Sequence, residues 1–160
     1  MEIQTKQISN EKLFSCVKQA ISEGKCARIN VKGISMTPFL IDGRDEVFLD
    51  AVNPNEICVG MILFVEINNT YILHRVVYVS DNYVILRGDG NVSQSEKVSF
   101  EQIVAKVSAV IRNGKRINYR SYHWQLYALF WPKSHRMRIL FLKIFRKLSK
   151  IKRIFSGTIA

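Results

Sequence analysis

The last third of this sequence contains no acidic residue. Residues 112–160 hold 13 Lys and Arg side chains and no Asp or Glu, whereas residues 1–111 hold 11 basic and 13 acidic side chains. The formal net charge of +11 therefore originates in the C-terminal segment. This change of composition, next to the turn-forming pair Asn113-Gly114, predicts a domain over residues 1–112 and a basic tail over residues 113–160.

Other absences exclude further classes of protein. No apolar run approaches the ~20 residues that a membrane-spanning helix needs, so we expect no transmembrane segment. Residues 1–6 lack the cationic stretch and apolar run of a signal peptide, and we expect none. Cys16, Cys26 and Cys58 follow neither a disulfide spacing nor a metal-ligand spacing. Reduced thiols are therefore expected, which favours a cytoplasmic location.

Residues 1–112 have the pattern of one helix followed by short strands. Ser9 or Asn10 can cap a helix over residues 11–23, which Gly24 would end. Later segments are rich in β-branched and aromatic residues and are separated by turn-forming residues. Such short segments predict a mainly β fold, either a small coiled antiparallel sheet or a barrel. The predicted strands cover residues 27–31, 46–49, 61–67, 71–79, 83–87 and 103–111.

Three short motifs with chemically useful side chains follow one another along this β-rich region. Taken singly, each has an ordinary explanation: a serine in a turn, a structural histidine on a strand, and an aspartate between two glycines. Their combination in this order predicts a hydrolytic site instead. The motifs are Gly33-Ile34-Ser35-Met36-Thr37-Pro38, Leu73-His74-Arg75-Val76 and Arg87-Gly88-Asp89-Gly90-Asn91.

The predicted chemistry is that of an activated serine. A serine hydroxyl is a poor nucleophile at neutral pH and needs a base within hydrogen-bond reach. His74 is the natural candidate, because imidazole titrates close to physiological pH. Asp89 would then fix the tautomer of the ring and stabilise the imidazolium. Lys106, on a late predicted strand, is a competing base that we expect to be structural.

The three motifs resemble those of the S24/S26 serine peptidases, which include the signal peptidases and the LexA-type self-cleaving repressors. The Ser-Met-x-Pro motif resembles their nucleophile box. The other two resemble the His-Arg-Val and Gly-Asp-x-Asn boxes of the endoplasmic-reticulum and archaeal signal peptidases. The resemblance covers about residues 33–110 and implies the β-rich catalytic fold, with Ser35 on a loop leaving a strand and His74 on a facing strand. It also implies cleavage through an acyl-enzyme, with no metal or other cofactor.

The chain departs from this family pattern at three places. His74 stands where the bacterial enzymes have a lysine base. The His-type enzymes usually carry a further acid after the third box, and here Glu96 lies one position beyond that distance, as a weaker candidate than Asp89. Gly33 replaces the hydroxyl residue that often precedes the nucleophile by two positions. The oxyanion hole would then use backbone N–H groups such as that of Ser35, with Gly33 and Met36 beside the substrate.

The tail has apolar residues at helical spacing and basic residues mainly on the other side. A basic amphipathic helix with aromatic residues fits an interfacial helix on anionic lipid. Packing on the domain or on another protein is an alternative, and nucleic acid is the least favoured partner because no DNA-binding module is visible upstream. The stripe comprises Met137, Phe141, Ile144, Leu148, Ile151 and Phe155, and the basic side comprises Lys143, Arg146, Lys147, Lys150 and Arg153.

These observations predict a serine endopeptidase of the signal-peptidase type that cleaves a precursor or leader peptide. The tail adds the expectation of peripheral attachment to an anionic membrane surface. The alternative is a non-catalytic module with the same β fold that binds an extended peptide by strand addition.

Overall fold

The computed structural model of this chain describes residues 10–131 and 134–156. Within these ranges, three helices accompany one antiparallel sheet of eight strands, which confirms the mainly β class. The helices are α1 (Asn10–Ser22), α2 (Tyr122–Phe130) and α3 (His135–Ser156), and short 3₁₀ turns occur at Pro54–Glu56 and Phe100–Gln102. The strands are β1 (Ala27–Asn30), β2 (Asp45–Asp50), β3 (Ile62–Ile67), β4 (Thr70–Val79), β5 (Tyr83–Arg87), β6 (Glu96–Ser99), β7 (Ile103–Arg112) and β8 (Lys115–Asn118).

The strand order is β1-β2-β7-β3-β4-β5-β6, with β8 paired to β7. The long strand β7 pairs with β2 on one edge, and on the other with β3 and then with β8. Register shifts occur in the β2–β7, β3–β7 and β4–β5 pairs. Such bulges bend strands and increase their twist. The sheet is nevertheless open, because β1 and β6 do not pair with each other in the described part of the chain. Of the two predicted forms, the sheet is therefore found and the closed barrel is not.

Two apolar clusters hold the sheet together. Strand β3 contributes to both, because successive side chains of a strand point to opposite faces. Ile62 and Phe64 enter the first cluster, and Leu63 and Val65 enter the second. All four side chains are buried. This double burial explains why β3 has a continuous apolar sequence rather than an alternating one.

Helix α1 covers the first cluster, close to its predicted position. Its buried Val17 lies in that cluster, and the ring of Phe14 stacks on Tyr71 of β4 with centroids 3.9 Å apart. Gly24, at a φ of +72°, follows the helix and donates from its N–H to Ile21 O. Of the two predicted caps, Ser9 lies outside the described residues.

The tail is part of the fold from its first residues. Asn113 and Gly114 both have positive φ and connect β7 to β8, so the predicted boundary after residue 112 falls inside a β-hairpin. Trp124 of α2 is buried in the first cluster, with its ring 4.8 Å from that of Phe39. The predicted division is therefore corrected, since the tail supplies a strand and a core tryptophan.

Helix α3 rests on the body of the protein through a narrow face. Arg138 and Leu142 are buried, whereas Met137, Phe141, Ile144 and Leu148 of the predicted apolar stripe are exposed. Lys150, Ile151, Arg153 and Phe155 complete the predicted pattern, and for these four residues only the helical backbone is described. Over the described ranges, no helix combines the length and the apolar character that crossing a membrane would require.

Candidate active site

Ser35 lies in the loop between β1 and β2, where two buried neighbours anchor the chain. Met36 and Leu40 both lie in the first apolar cluster, and the Leu40 N–H donates to Met36 O at 2.9 Å. The side chain of Ser35 itself is half-buried at the surface. Because the buried side chains of Met36 and Leu40 anchor the loop in the core, Ser35 is held in position and remains accessible to solvent.

The backbone N–H groups of this loop differ in their availability. Gly33 has a φ of +81°, and its N–H donates to Asp42 Oδ2 at 2.9 Å. This contact leaves the Gly33 N–H engaged and unsuited to bind an oxyanion. The N–H groups of Ser35 and Met36 have no hydrogen-bond partner among the described residues. They are therefore the donors available to a negatively charged oxygen beside Ser35.

His74 is buried on β4 and is oriented by a carboxylate two strands away. Its Nδ1 lies 2.8 Å from Glu96 Oε2 on β6. A carboxylate only accepts hydrogen bonds, so Nδ1 carries the proton in this pair. In the neutral ring, Nε2 is then the nitrogen with the free lone pair. This is the tautomer that a general base for a serine requires.

The turn over residues 88–91 brings the serine loop and the imidazole together. The Gly90 N–H donates to Ser35 O at 2.7 Å. A Cβ added to Gly88 would lie 2.4 Å from Ser35 O and 2.9 Å from Nε2 of His74. No side chain fits at this point, so glycine allows the close approach. Ser35 and His74, predicted from separate motifs, thus converge on one turn.

Asp89 does not contact the histidine, and its predicted orienting role is corrected. Its buried carboxylate binds Arg75, whose Nε and Nη2 donate at 2.9 Å and 2.7 Å. The physical reason is strand alternation: His74 and Arg75 are successive residues of β4 and point to opposite faces. Asp89 lies with Arg75, and Glu96 lies with His74. The carboxylate that contacts His74 is therefore Glu96 and not Asp89.

Lys106, the competing base, is engaged elsewhere. Its ammonium forms an ion pair with Glu56 Oε2 at 3.2 Å. That partner belongs to the 3₁₀ turn before β3. The contact agrees with the structural role expected for this lysine.

A groove with a volume of about 250 Å³ opens beside Ser35. It runs between α1, β1 and the first half of β4. The outer edge of β1 has no strand partner within the described ranges, so its backbone groups can pair with an extended chain. The apolar lining includes Leu13, Phe14, Ile29, Met36, Tyr71 and Leu73.

Arg138 of α3 is a residue of this site that the sequence pattern does not reveal. It is buried, and its Nη1 donates to Gly88 O and to Asn91 O, both at 3.0 Å. Burial lowers the pKa of Arg138, while Asp89 acts in the opposite direction. The helix is thereby fastened to the turn that holds the serine loop. In a helix with many basic residues, composition cannot distinguish the one arginine that is buried.

The described residues include no group of three or more His, Cys, Asp or Glu side chains placed to hold a metal ion. Compared with known proteins, the chain matches no protein-family model, no curated protein and no solved structure.

Proposed function

We propose that this protein is a serine endopeptidase with Ser35 as nucleophile, His74 as general base and Glu96 as orienting acid. The observation that carries the proposal is the 2.8 Å contact between His74 Nδ1 and Glu96, with Nε2 beside the turn that binds Ser35 O. A buried histidine that contacts a carboxylate and lies near a solvent-accessible serine supplies the three components of a catalytic triad.

The chemistry follows from these positions. Nε2 of His74 takes the Ser35 Oγ proton as Oγ bonds to the carbonyl carbon of the peptide bond, and the carbonyl oxygen becomes an oxyanion. The N–H groups of Ser35 and Met36 stabilise that charge. The imidazolium then gives its proton to the leaving amine nitrogen, the C–N bond breaks, and an acyl-enzyme remains. Water, deprotonated by the same imidazole, releases the acyl group and restores the serine.

The groove supports an extended peptide as the substrate. A strand lying along the free edge of β1 would make backbone hydrogen bonds and present alternate side chains to the groove. Its lining of aliphatic and aromatic residues favours an apolar side chain near the cleaved bond. A precursor or leader peptide with an extended, apolar cleavage region fits this description.

A peptide-library digest with the intact chain tests the proposal. We expect cleavage at a restricted set of sites with an apolar residue close to the broken bond, identified by mass spectrometry. Saturable binding of library peptides without any cleavage would support the non-catalytic peptide-binding module instead. If the library peptides are neither bound nor cleaved, both readings of the groove are refuted.

Gly88→Ala is expected to reduce peptide cleavage by about 10²-fold or more, because displacement of reacting groups by about 1 Å is enough for such a loss. The added Cβ would lie 2.4 Å from Ser35 O, closer than any real contact, so the turn and the serine loop must separate. The measurement is kcat/KM for a peptide found in the library digest, with circular dichroism to check folding. Unchanged kcat/KM would mean that the turn does not set the geometry of the site.

The exposed stripe on α3 favours an anionic membrane surface as a partner. Buried Arg138 and Leu142 fix the helix on the body, which leaves Met137, Ile144 and Leu148 facing outward. The absence of acidic residues after Glu101 makes the whole segment attractive to anionic lipid. Each basic side chain near such a surface contributes on the order of 1 kcal/mol, and the apolar stripe adds burial in the interface.

The double change Ile144→Ser and Leu148→Ser is expected to weaken binding to anionic vesicles at least about tenfold, because burying each side chain contributes about 1.5–3 kcal/mol. Both residues are exposed, so the fold is expected to survive. Co-sedimentation with vesicles that contain phosphatidylglycerol is the measurement. Truncation of the tail would be uninformative, because β8 and Trp124 belong to the sheet and the core.

Two charge variants supply the matched control for the vesicle experiment. Lys143→Gln with Lys147→Gln removes two charges from α3, and Lys115→Gln with Arg116→Gln removes two from β8. We expect the first pair to weaken vesicle binding and the second to have a small effect, with both effects disappearing near 1 M salt, where the screening length falls to about 3 Å. Equal losses from the two pairs would exclude α3 as the docking element.

A further inference from the structure

A second cavity, of about 370 Å³, lies between helix α3 and the serine loop. Ile34 and Thr37 line it from the loop, and they are the two ends of a tight turn in which the Thr37 N–H donates to Ile34 O at 3.1 Å. Ser35 and Met36 are the central residues of this turn, and both line the groove described above. The cavity and the groove share no lining residue, so the turn that carries Ser35 borders two separate spaces.

The cavity opens where the inner face of α3 loses contact with the body of the protein. Arg138, Leu142, Phe145 and Ser149 follow one another at spacings of four, three and four residues, so they share this face. Arg138 and Leu142 are each 3% exposed, Phe145 is half-buried and Ser149 is exposed. Across the cavity, the large apolar side chain of Ile34 is 77% exposed. The helix and the loop thus present apolar surface that a bound molecule can cover.

The turn over residues 88–91 places this cavity close to the imidazole. Gly90 lines the cavity, and a Cβ added to Gly88 of the same turn would lie 2.9 Å from Nε2 of His74. In the proposed mechanism, Nε2 gives its proton to the leaving amine nitrogen. A peptide that lies in the groove on one side of the cleaved bond therefore continues past the imidazole toward this cavity on the other side.

Arg146 brings a positive charge to a lining that is otherwise uncharged. Its side chain is exposed and makes no ion pair with an acidic residue in the part of the chain that the structure describes. The neighbouring Lys143 and Lys147 are also basic, and the sequence has no Asp or Glu after Glu101. The charge at this cavity is therefore complementary to a carboxylate.

We propose that this cavity binds the peptide substrate on the amine side of the cleaved bond and selects an apolar side chain with an acidic residue close to it. Ile34 and Phe145 cover the apolar side chain, and Arg146 pairs with the carboxylate. This inference rests on the proposed peptidase function. It adds a requirement on the leaving half of the substrate, which the groove along β1 does not specify.

Paired peptides test the acidic preference. Each pair, built on a sequence from the library digest, differs only in Asp or Lys at one of the first three positions on the amine side of the broken bond. At one of these positions we expect the wild type to cleave the Asp peptide with a kcat/KM higher by about fivefold or more, and Arg146→Glu to prefer the Lys peptide. A ratio of two rates from one preparation does not depend on how much of the variant is folded.

Lys147→Glu is the matched control, because it makes the same change of charge at an exposed position of α3 that does not line the cavity. It should change the Asp-to-Lys ratio less than twofold. Ile34→Ser tests the apolar preference in the same way, with Leu and Ser as the paired residues. The preference for Leu should fall by about threefold or more, since Ile34 is exposed and its replacement leaves the fold intact.

The possible results separate this inference from the peptidase proposal. Cleavage with the same Asp-to-Lys ratio in the wild type and in Arg146→Glu at all three positions would overturn the cavity as a subsite and leave the peptidase standing. Equal changes from Arg146→Glu and Lys147→Glu would also overturn it, because the general charge of α3 would then explain the preference. A wild-type chain that cleaves no library peptide would refute both the proposed function and the subsite.

Discussion

Ser35→Ala is expected to reduce peptide cleavage by at least about 10⁴-fold, because the variant has no oxygen to form the acyl-enzyme. The Ser35 side chain is small and half-buried, so its loss should change the free energy of unfolding by less than about 0.5 kcal/mol. The measurements are kcat/KM on a library-derived peptide and a thermal unfolding curve.

Ser93→Ala is the matched control for the nucleophile variant. Ser93 is an exposed loop serine that follows the turn over residues 88–91, and its loss should leave both cleavage and stability unchanged. Cleavage by Ser35→Ala at the wild-type rate would remove the serine mechanism. Equal loss of activity in both variants would instead indicate a general disturbance of this surface.

Glu96→Gln and Asp89→Asn are expected to have different effects. Glu96→Gln keeps the size of the side chain but removes the charge that stabilises the imidazolium, so we expect a fall in kcat of about 10²–10⁴-fold with little change in stability. Asp89→Asn leaves buried Arg75 without its counter-charge, and should destabilise the fold by about 3–5 kcal/mol. Chemical denaturation and initial rates measure the two effects separately.

The pH profile adds a second criterion to this comparison. Cleavage by the wild type should be lost in acid, because only a neutral His74 ring can accept the proton of Ser35. An inactive but fully stable Asp89→Asn, together with a fully active Glu96→Gln, would reverse the assignment and restore Asp89 as the acid.

The sequence predicts the strands well where alternation or β-branched residues mark them. The helix α1 and strands β1 to β5 and β7 lie close to their predicted positions. The strands β6 and β8 are missed because each has four residues and contains charged side chains, so neither has an apolar pattern. Short strands of this kind form because a neighbouring strand offers hydrogen bonds. The composition of a segment does not show which strand it will pair with.

For the candidate site too, the sequence identifies residues that belong to a local motif but not contacts between residues far apart along the chain. Ser35 and His74 are found from motifs because each motif contains its own turn or strand. The sequence ranks Glu96 below Asp89 as the orienting acid, because the contact between Glu96 and His74 depends on the register of β4, β5 and β6. His74 and Arg75 are adjacent in sequence, so the motifs do not show that Asp89 pairs with Arg75. The helical period predicts the exposed face of α3, but the burial of Arg138 depends on where the helix meets the turn.

Covalent labelling of Ser35 tests the central claim most directly. A peptidyl fluorophosphonate, with the peptide taken from the library digest, should phosphonylate Ser35 Oγ with loss of fluoride when the neighbouring base is in place. Intact-mass measurement and peptide mapping should find one adduct per chain at Ser35, absent from Ser35→Ala and strongly reduced in His74→Ala. A folded wild-type chain that takes up no probe, or a Ser35→Ala chain labelled as fast as the wild type, would contradict the proposed mechanism.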